Sequence, residues 1–294
     1  MESVVRQGDE IIGRLPYVMK RSGPFDAVRM PAFTHMLGPA IDAGEGKLQT
    51  RLQRRISITR ALVDQLPSHS YFHQHLDPSL DGGLAIADGL AFQECKFEVM
   101  HQYTFEIDCR KSVDELFAAL YLKTRQHVRR AEKEYSVRNV DDAKTFIDFY
   151  LKNLGEWGRK NRVDFQHFPA LFSESRTRES GVILGAFDQA GAPVAMTYLV
   201  WGHGIMYYLL STRSFHTPDS GAVSLLIWNA VKKAHELGLV LDLDGVYSSG
   251  TAKFLSNFGG NIKTRLLVRR AGSFYGALQY LKRHLAPDES QFFT

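Results

Sequence analysis

Val240-Leu-Asp-Leu-Asp-Gly-Val-Tyr-Ser-Ser-Gly-Thr-Ala-Lys-Phe-Leu-Ser-Asn-Phe-Gly-Gly260 is the stretch on which the fold assignment turns. Its apolar start, Leu239-Val-Leu-Asp-Leu243, is too short for a helix and runs into a turn at Gly245, so it reads as a buried strand ending at two carboxylates, Asp242 and Asp244. Ser248-Ser-Gly250 then offers a helix start, Lys253, Phe254 and Phe258 fall on one helical face, and Gly259-Gly260 stops the helix. Polar groups just past a strand's C-terminal end, beside a new helix N-terminus, occupy the place where many α/β folds bind ligands.

With 294 residues the chain is long for one core, and two domains of about 150 residues are expected. Its 44% hydrophobic and 23% charged composition is that of an ordinary globular protein. No window of about 18 apolar residues spans a membrane, and the charged start Met1-Glu-Ser-Val-Val-Arg-Gln-Gly-Asp-Glu10 is no secretory signal. The two cysteines, Cys95 and Cys109, lie in strand-like apolar segments and are expected as buried thiols in a reducing, cytoplasmic compartment. A net charge of +4 is compatible with an anionic ligand without requiring one.

Outward from the opening stretch, strands are predicted at 182–187, 194–201, 205–211 and 262–268, with helices at 221–237 and 274–285. Upstream, Ser112-Val-Asp-Glu115 forms a capping box, and one helix is predicted from there through Leu116, Leu120 and Leu122 into 124–133. A short strand at 137–140 precedes a helix capped by Asp141-Asp142, and another helix is predicted at 168–175. In the first third, 10–19 and 25–30 read as a strand pair turning at Ser22-Gly-Pro24, with Pro16 at an edge or bulge. An amphipathic helix is predicted at 47–66, and strands at 70–75, 90–97 and 102–109, with 77–88 as a loop. His73, His75 and Asp77 alternate on one strand face; these are residue types that zinc takes, but with no fourth ligand in view they read as the polar face of an edge strand.

The two halves repeat a pattern. Residues 8–18 and 190–200 each combine a turn, a small residue and an apolar strand, followed by a second strand, a loop, a long amphipathic helix (47–66; 221–237) and another strand. The first copy lacks the helices that precede the strands of the second, so the numbering is expected to begin after part of the first domain.

The segment Lys123-x-Arg125-x-x-Val128-Arg-Arg-Ala-Glu-Lys133, followed by a short strand and a capped helix, resembles the signature helix of the FemAB-like branch of the GNAT acyltransferase superfamily. Residues 241–246 running to Phe254-x-x-x-Phe258-Gly-Gly260 look like the second signature of that family. The resemblance is best over about 103–270. It implies a mixed α/β (α+β) fold of two tandem GNAT-like lobes, each a mostly antiparallel mixed sheet flanked by helices. The expected lobes are 1–110 and 111–294, the last helix packing back on the first lobe. It also implies acyl or aminoacyl transfer from an activated carrier to an amine held between the lobes. Relatives that act on peptidoglycan precursors carry Lys directly after the first Phe, where this chain has Leu255; Lys253 lies about 160° away around the helix. No coiled-coil arm is visible. Both departures favour an acyl-CoA or acyl-carrier donor, used as co-substrate with no tightly bound cofactor and no metal, over a tRNA donor.

In that chemistry the donor pyrophosphate rests on backbone amides between a strand and a helix N-terminus. The corresponding place is the loop after 205–210, where Ser220, Gly221 and Ala222 are small and Arg213 can pair with a phosphate; the same residues also read as an ordinary strand-helix loop. The acceptor amine must lose a proton, for which Asp242 or Asp244, two apart on one strand face, can serve, with Tyr247 as acid for the leaving thiolate. Asp244 equally reads as a turn cap. Arg125 and Arg129 share a helix face that can grip phosphates or stand as a solvated stripe, and Lys253 and Phe254 are the acceptor-side candidates. Three functions remain open: an N-acyltransferase using acyl-CoA or an acyl carrier, an aminoacyl-tRNA-dependent transferase acting on a cell-envelope amine, and a non-catalytic binding module of the same fold. The expected partners are a small-molecule donor and an amine acceptor.

Overall fold

A computed structural model describes residues 1–217, 221–246, 248–272 and 275, arranged in two compact units. Unit 1 holds residues 1–103 and the described residues from 264 onward; unit 2 holds 104–263.

In unit 1, β1 (Glu2–Gln7), β2 (Glu10–Pro16) and β5 (Ala40–Ile41) form a small antiparallel sheet. A second sheet carries the hairpin β3 (Val18–Ser22) and β4 (Phe25–Arg29), then β6 (Tyr71–His75), which runs parallel to β4, then β13 (Asn261–Ala271), antiparallel to β6. A parallel pair needs a crossover, and α1 (Leu48–Asp64) supplies it. Its buried Ile58, Leu62 and Val63 pack in a core with Leu15, Val28, Phe72, Phe92 and Val268. A short 3-10 turn, Pro78–Leu80, and α2 (Ala85–Glu94) follow β6.

In unit 2, β7 (Glu98–Asp108) enters at Thr104 and leads to α3 (Val113–Ala119) and α4 (Leu122–Glu134). An antiparallel run follows, formed by β8 (Ser136–Asn139), β9 (Gly181–Phe187), β10 (Pro193–Gly202) and β11 (Ile205–Arg213), with α5 (Ala143–Glu156) and α6 (Phe168–Thr177) inserted after β8. Next to β11 lies β12 (Val240–Asp242), parallel to it and joined through α7 (Ala222–Glu236); α8 (Ser249–Ser256) follows. Helix α7 is apolar nearly all round because it is buried nearly all round: Leu225, Leu226 and Ile227 are each 1% exposed or less and contribute about 2 kcal/mol apiece.

The duplication is visible in this topology, with one change of partners. In each unit an antiparallel hairpin (β3–β4; β10–β11) feeds a crossover helix (α1; α7) to a parallel strand (β6; β12) and a shorter helix (α2; α8). The strand after α2, β7, then pairs with β12, whereas the strand after α8, β13, pairs with β6. Each unit is therefore closed by a strand from the other half of the chain. For this reason the compact units break at 103/104 and 263/264 and not at the 110/111 division expected from the sequence. The repeat of β10 is β3, not 8–18, since β2 belongs to the small sheet.

Other expectations change for local reasons. Residues 10–19 are two strands, broken after Pro16 where the Tyr17 amide donates to the Met1 carbonyl, and it is β3 that turns back at Gly23 to pair with β4. Residues 90–97 lie largely in α2, since Ala87, Asp88, Ala91 and Phe92 are buried at helical spacing; Cys95 caps that helix and is not in a strand. The helix expected from 112 to 133 is split at Leu120: this residue is 3% exposed and extended (ψ 143°), and the Tyr121 amide donates to Asn257 O at 2.8 Å. Strand β6 is interior to its sheet, so His73, 7% exposed, is not on an edge. Among the described residues no group of His, Cys, Asp and Glu is arranged to hold a metal, and no helix is long and apolar enough to cross a membrane. The helix predicted at 274–285 lies, apart from Tyr275, outside the described residues.

Candidate functional site

Strand β12 ends at Asp242, which is 1% exposed. Its Oδ1 accepts the Thr104 hydroxyl at 2.6 Å and the Asp244 amide at 2.8 Å. The second bond closes a tight turn that holds Asp244 at φ 53°, a left-handed conformation that Asp tolerates at modest cost. The two carboxylates therefore do not lie side by side on one strand: Asp242 is the buried pin of the turn, and Asp244, half-buried, lies beyond the strand end. It is Asp242, not Asp244, that caps the turn.

The register adds a residue that the sequence pattern did not single out. Asp242 lies opposite Glu106 on antiparallel β7 and beside Tyr207 on parallel β11. Directly paired residues share a sheet face, so Glu106, Asp242 and Tyr207 form a polar row across three strands, with Thr104 two residues along β7 on the same face. Glu106 and Tyr207 are half-buried. Nothing near Glu106 in sequence marks it, because its partner is more than a hundred residues away.

Helix α8 begins as the sequence implies. The Ser248 Oγ accepts the Thr251 amide at 3.0 Å, and the helix stops where Gly259 takes φ 78°. A Cβ on Gly259 would sit 2.7 Å from the Ala119 carbonyl, so close packing of α8 on α3 requires the glycine. Lys253 is exposed, Phe254 is 37% exposed with its ring on that of Phe258, and Leu255 is 5% exposed within the core. A lysine at 255 would point into that core, which accounts for the apolar residue there. Tyr247 lies outside the described residues.

The expected donor loop leads into α7. Gly221 caps this helix at φ 69°, and its missing Cβ would meet the His127 carbonyl at 3.1 Å, so the turn approaches α4 closely. Ala222 is 1% exposed; Ser220 lies outside the described residues. Arg213, at the end of β11, stacks on the Trp157 ring with its guanidinium carbon 4.7 Å from the ring centre, beside Phe215, which meets the same ring edge-on. On α4, the half-buried Arg125 donates to Ala118 O at 3.3 Å, while Arg129 is exposed over the Phe117 ring at 5.2 Å. The pair divides into one arginine that fastens α4 to α3 and one that faces solvent.

The fold and this strand-turn-helix site define a ligand-binding α/β class: a crossover helix between parallel strands, its N-terminus beside the strand end, and a polar row on the adjoining strands. A family model described as an acetyltransferase (GNAT) domain matches residues 96–249, more than half of the chain, and the chain belongs to that family. A search of curated proteins by sequence returned no match. Among solved structures the chain is similar to FemX, with 13% identity, a TM-score of 0.64 and coverage of 90% of this chain and 86% of that one. It is also similar to the C-terminal domain of a putative lysylphosphatidylglycerol synthetase from Agrobacterium fabrum (12% identity, TM-score 0.56, coverage 92% and 84%). A third is a tandem GNAT protein from the clavulanic acid biosynthesis pathway (13%, TM-score 0.52, 91% and 81%). At these identities the likeness is one of fold, and it agrees with the two-lobe, FemAB-like architecture.

Proposed function

We propose that the protein is an N-acyltransferase that moves an acyl group from a phosphate-bearing carrier, acyl-CoA or an acyl-carrier group, to an amine. The observation that carries this reading is the GNAT match over 96–249, which takes in the parallel pair β11–β12, the α7 start between them and the Asp242 turn. The N-terminus of α7, packed against α4 at Gly221, presents the positive end of the helix dipole, which favours an anion. The acceptor amine attacks the acyl carbonyl and the C–N bond forms as the carrier's C–S thioester bond breaks; the carrier leaves as a thiolate that is protonated to its thiol, and the amine's proton passes to a carboxylate. Glu106 and Asp244, half-buried, are the carboxylates assigned this task; Asp242, already holding two donors, acts as a positioning residue. Thermal unfolding with a panel of acyl-CoAs tests the reading: at one hundred times its Kd a donor adds about 2.7 kcal/mol, and no shift with any chain length would remove CoA as the carrier.

A second reading, an aminoacyl-tRNA donor, is favoured by the exposed Arg129, Arg130 and Lys133 on α4, a basic stripe that suits the phosphates of a nucleic acid. It requires salt-dependent binding of aminoacyl-tRNA, with a slope that falls by about one on Arg129→Ala; salt-insensitive or absent binding excludes it.

A further inference from the structure

Unit 1 contains a cavity of about 380 Å³, within the size range of small-molecule sites. Its walls are largely apolar, built from Leu76 after β6, Ile86 and Leu90 on α2, Val99 on β7 and Leu266 on β13. Three features set it apart from a packing defect. The first is Gly89, in the interior of α2, where glycine costs about 1 kcal/mol relative to alanine. A Cβ built there would lie in ordinary contact, 3.4 Å from Leu266 Cδ1 and 3.9 Å from Val99 Cγ1, both lining residues, so any side chain larger than a methyl group would extend into the cavity. The second is a rigid wall: Asp88, 2% exposed, receives Arg55 Nη2 at 2.7 Å, Arg55 Nε at 3.0 Å and the Thr59 hydroxyl at 2.9 Å, locking α2 to α1. The third is the mouth, where Ile86 and Leu90 are 64% and 40% exposed although they lie one turn apart on the same helix face.

The charge lining the cavity is chiefly acidic. Asp77 and Asp81 are both half-buried, each carboxylate held in place by one backbone amide, from Ser79 and Gly83 respectively. Asp88 is already balanced by Arg55, and the buried Arg265 lies in the opposing wall on β13. Apolar walls with two fixed carboxylates near an apolar mouth suit a cationic head on an apolar body.

We propose that this cavity binds a primary amine carried on an alkyl or aryl group, with the ammonium against Asp77 and Asp81 and the apolar body along Gly89, Val99 and Leu266. The site belongs to unit 1 and is independent of the donor chemistry assigned to unit 2. Isothermal titration of the full chain with octylamine, with octanoate and octanol as matched probes, tests it. The expected result is saturable octylamine binding, weakened about 3- to 10-fold by Asp81→Asn or Asp77→Asn and abolished by Gly89→Leu. That last variant strengthens the helix propensity of α2, and its unfolding temperature without ligand verifies that it folds. Octanoate or octanol binding as tightly as octylamine overturns the cationic assignment. Octylamine binding unchanged in folded Gly89→Leu overturns the location, and no octylamine binding overturns both. None of these readouts uses an acyl donor, so they stand apart from the outcome of the acyl-CoA test.

Discussion

Asp242 is predicted to act as the pin of the β12–α8 turn, and a double-mutant cycle with Thr104 measures this. Asp242→Ala would leave the Thr104 hydroxyl, on a residue 0% exposed, and the Asp244 amide without the Oδ1 acceptor they share. At about 1–3 kcal/mol for each stranded group, the loss is about 3–4 kcal/mol. Asp242→Asn keeps an oxygen but removes the charge, at a cost of about 1–2 kcal/mol; Thr104→Val removes one charge-assisted donor, at a cost of about 2 kcal/mol. Since both substitutions act on one 2.6 Å hydrogen bond, the double variant is expected to fall short of the sum by about 1 kcal/mol. Urea unfolding at neutral pH, with midpoints and slopes for all four proteins, provides the measurement. Additivity within about 0.3 kcal/mol would refute the pinning role. In turnover assays a positioning role predicts similar losses for Asp242→Asn and Thr104→Val; a loss confined to Asp242→Asn would make Asp242 itself a proton carrier.

Three further predictions rest on single side chains. Burial, with Arg29 and Arg269 nearby, lowers the His73 imidazole to about 4, so the folded state keeps it neutral while the unfolded chain protonates it below about 6.5. Stability should therefore fall as pH drops from 6.5 to 4, by up to about 3 kcal/mol in total from this group, and His73→Gln should flatten that part of the stability-pH curve; an unchanged slope counts against it. Gly221→Ala, at φ 69° and against the His127 carbonyl, should cost about 1–2 kcal/mol in chemical denaturation and weaken whatever donor stabilises the protein; a neutral effect would mean the turn relaxes freely. Burial pushes the Cys109 thiol up to about 12, so iodoacetamide at pH 8 should leave it unlabelled in the folded protein and modify it after denaturation, as read by mass spectrometry.

Much of unit 2 was legible from local pattern. Its capping box at Ser112, the Asp142 cap of α5, the Ser248 cap of α8 and the strand-helix alternation between 180 and 271 are all signals a few residues long, and each forms where the sequence places it. The polar row is legible only in part, because Asp242 stands in the motif but Glu106 and Thr104 join it only through pairing with β7. Helix α2 reads locally as a loop and a strand because Asp88 and Gly89 look like turn residues; Asp88 is helical and buried because Arg55, 33 positions earlier, neutralises it.

The sequence by itself determined most element types outside α2, the repeated strand-helix-strand order and the strand-turn-helix at 240–260, since these follow from side-chain periodicity and from caps that close within one turn. The tertiary structure alone decided that β7 closes against β12 and β13 against β6, that α3 and α4 part at Leu120, and that Asp242 faces Glu106 and Thr104. Those outcomes depend on which distant strand offers hydrogen bonds and a matching apolar face, and no local run of residues encodes that choice.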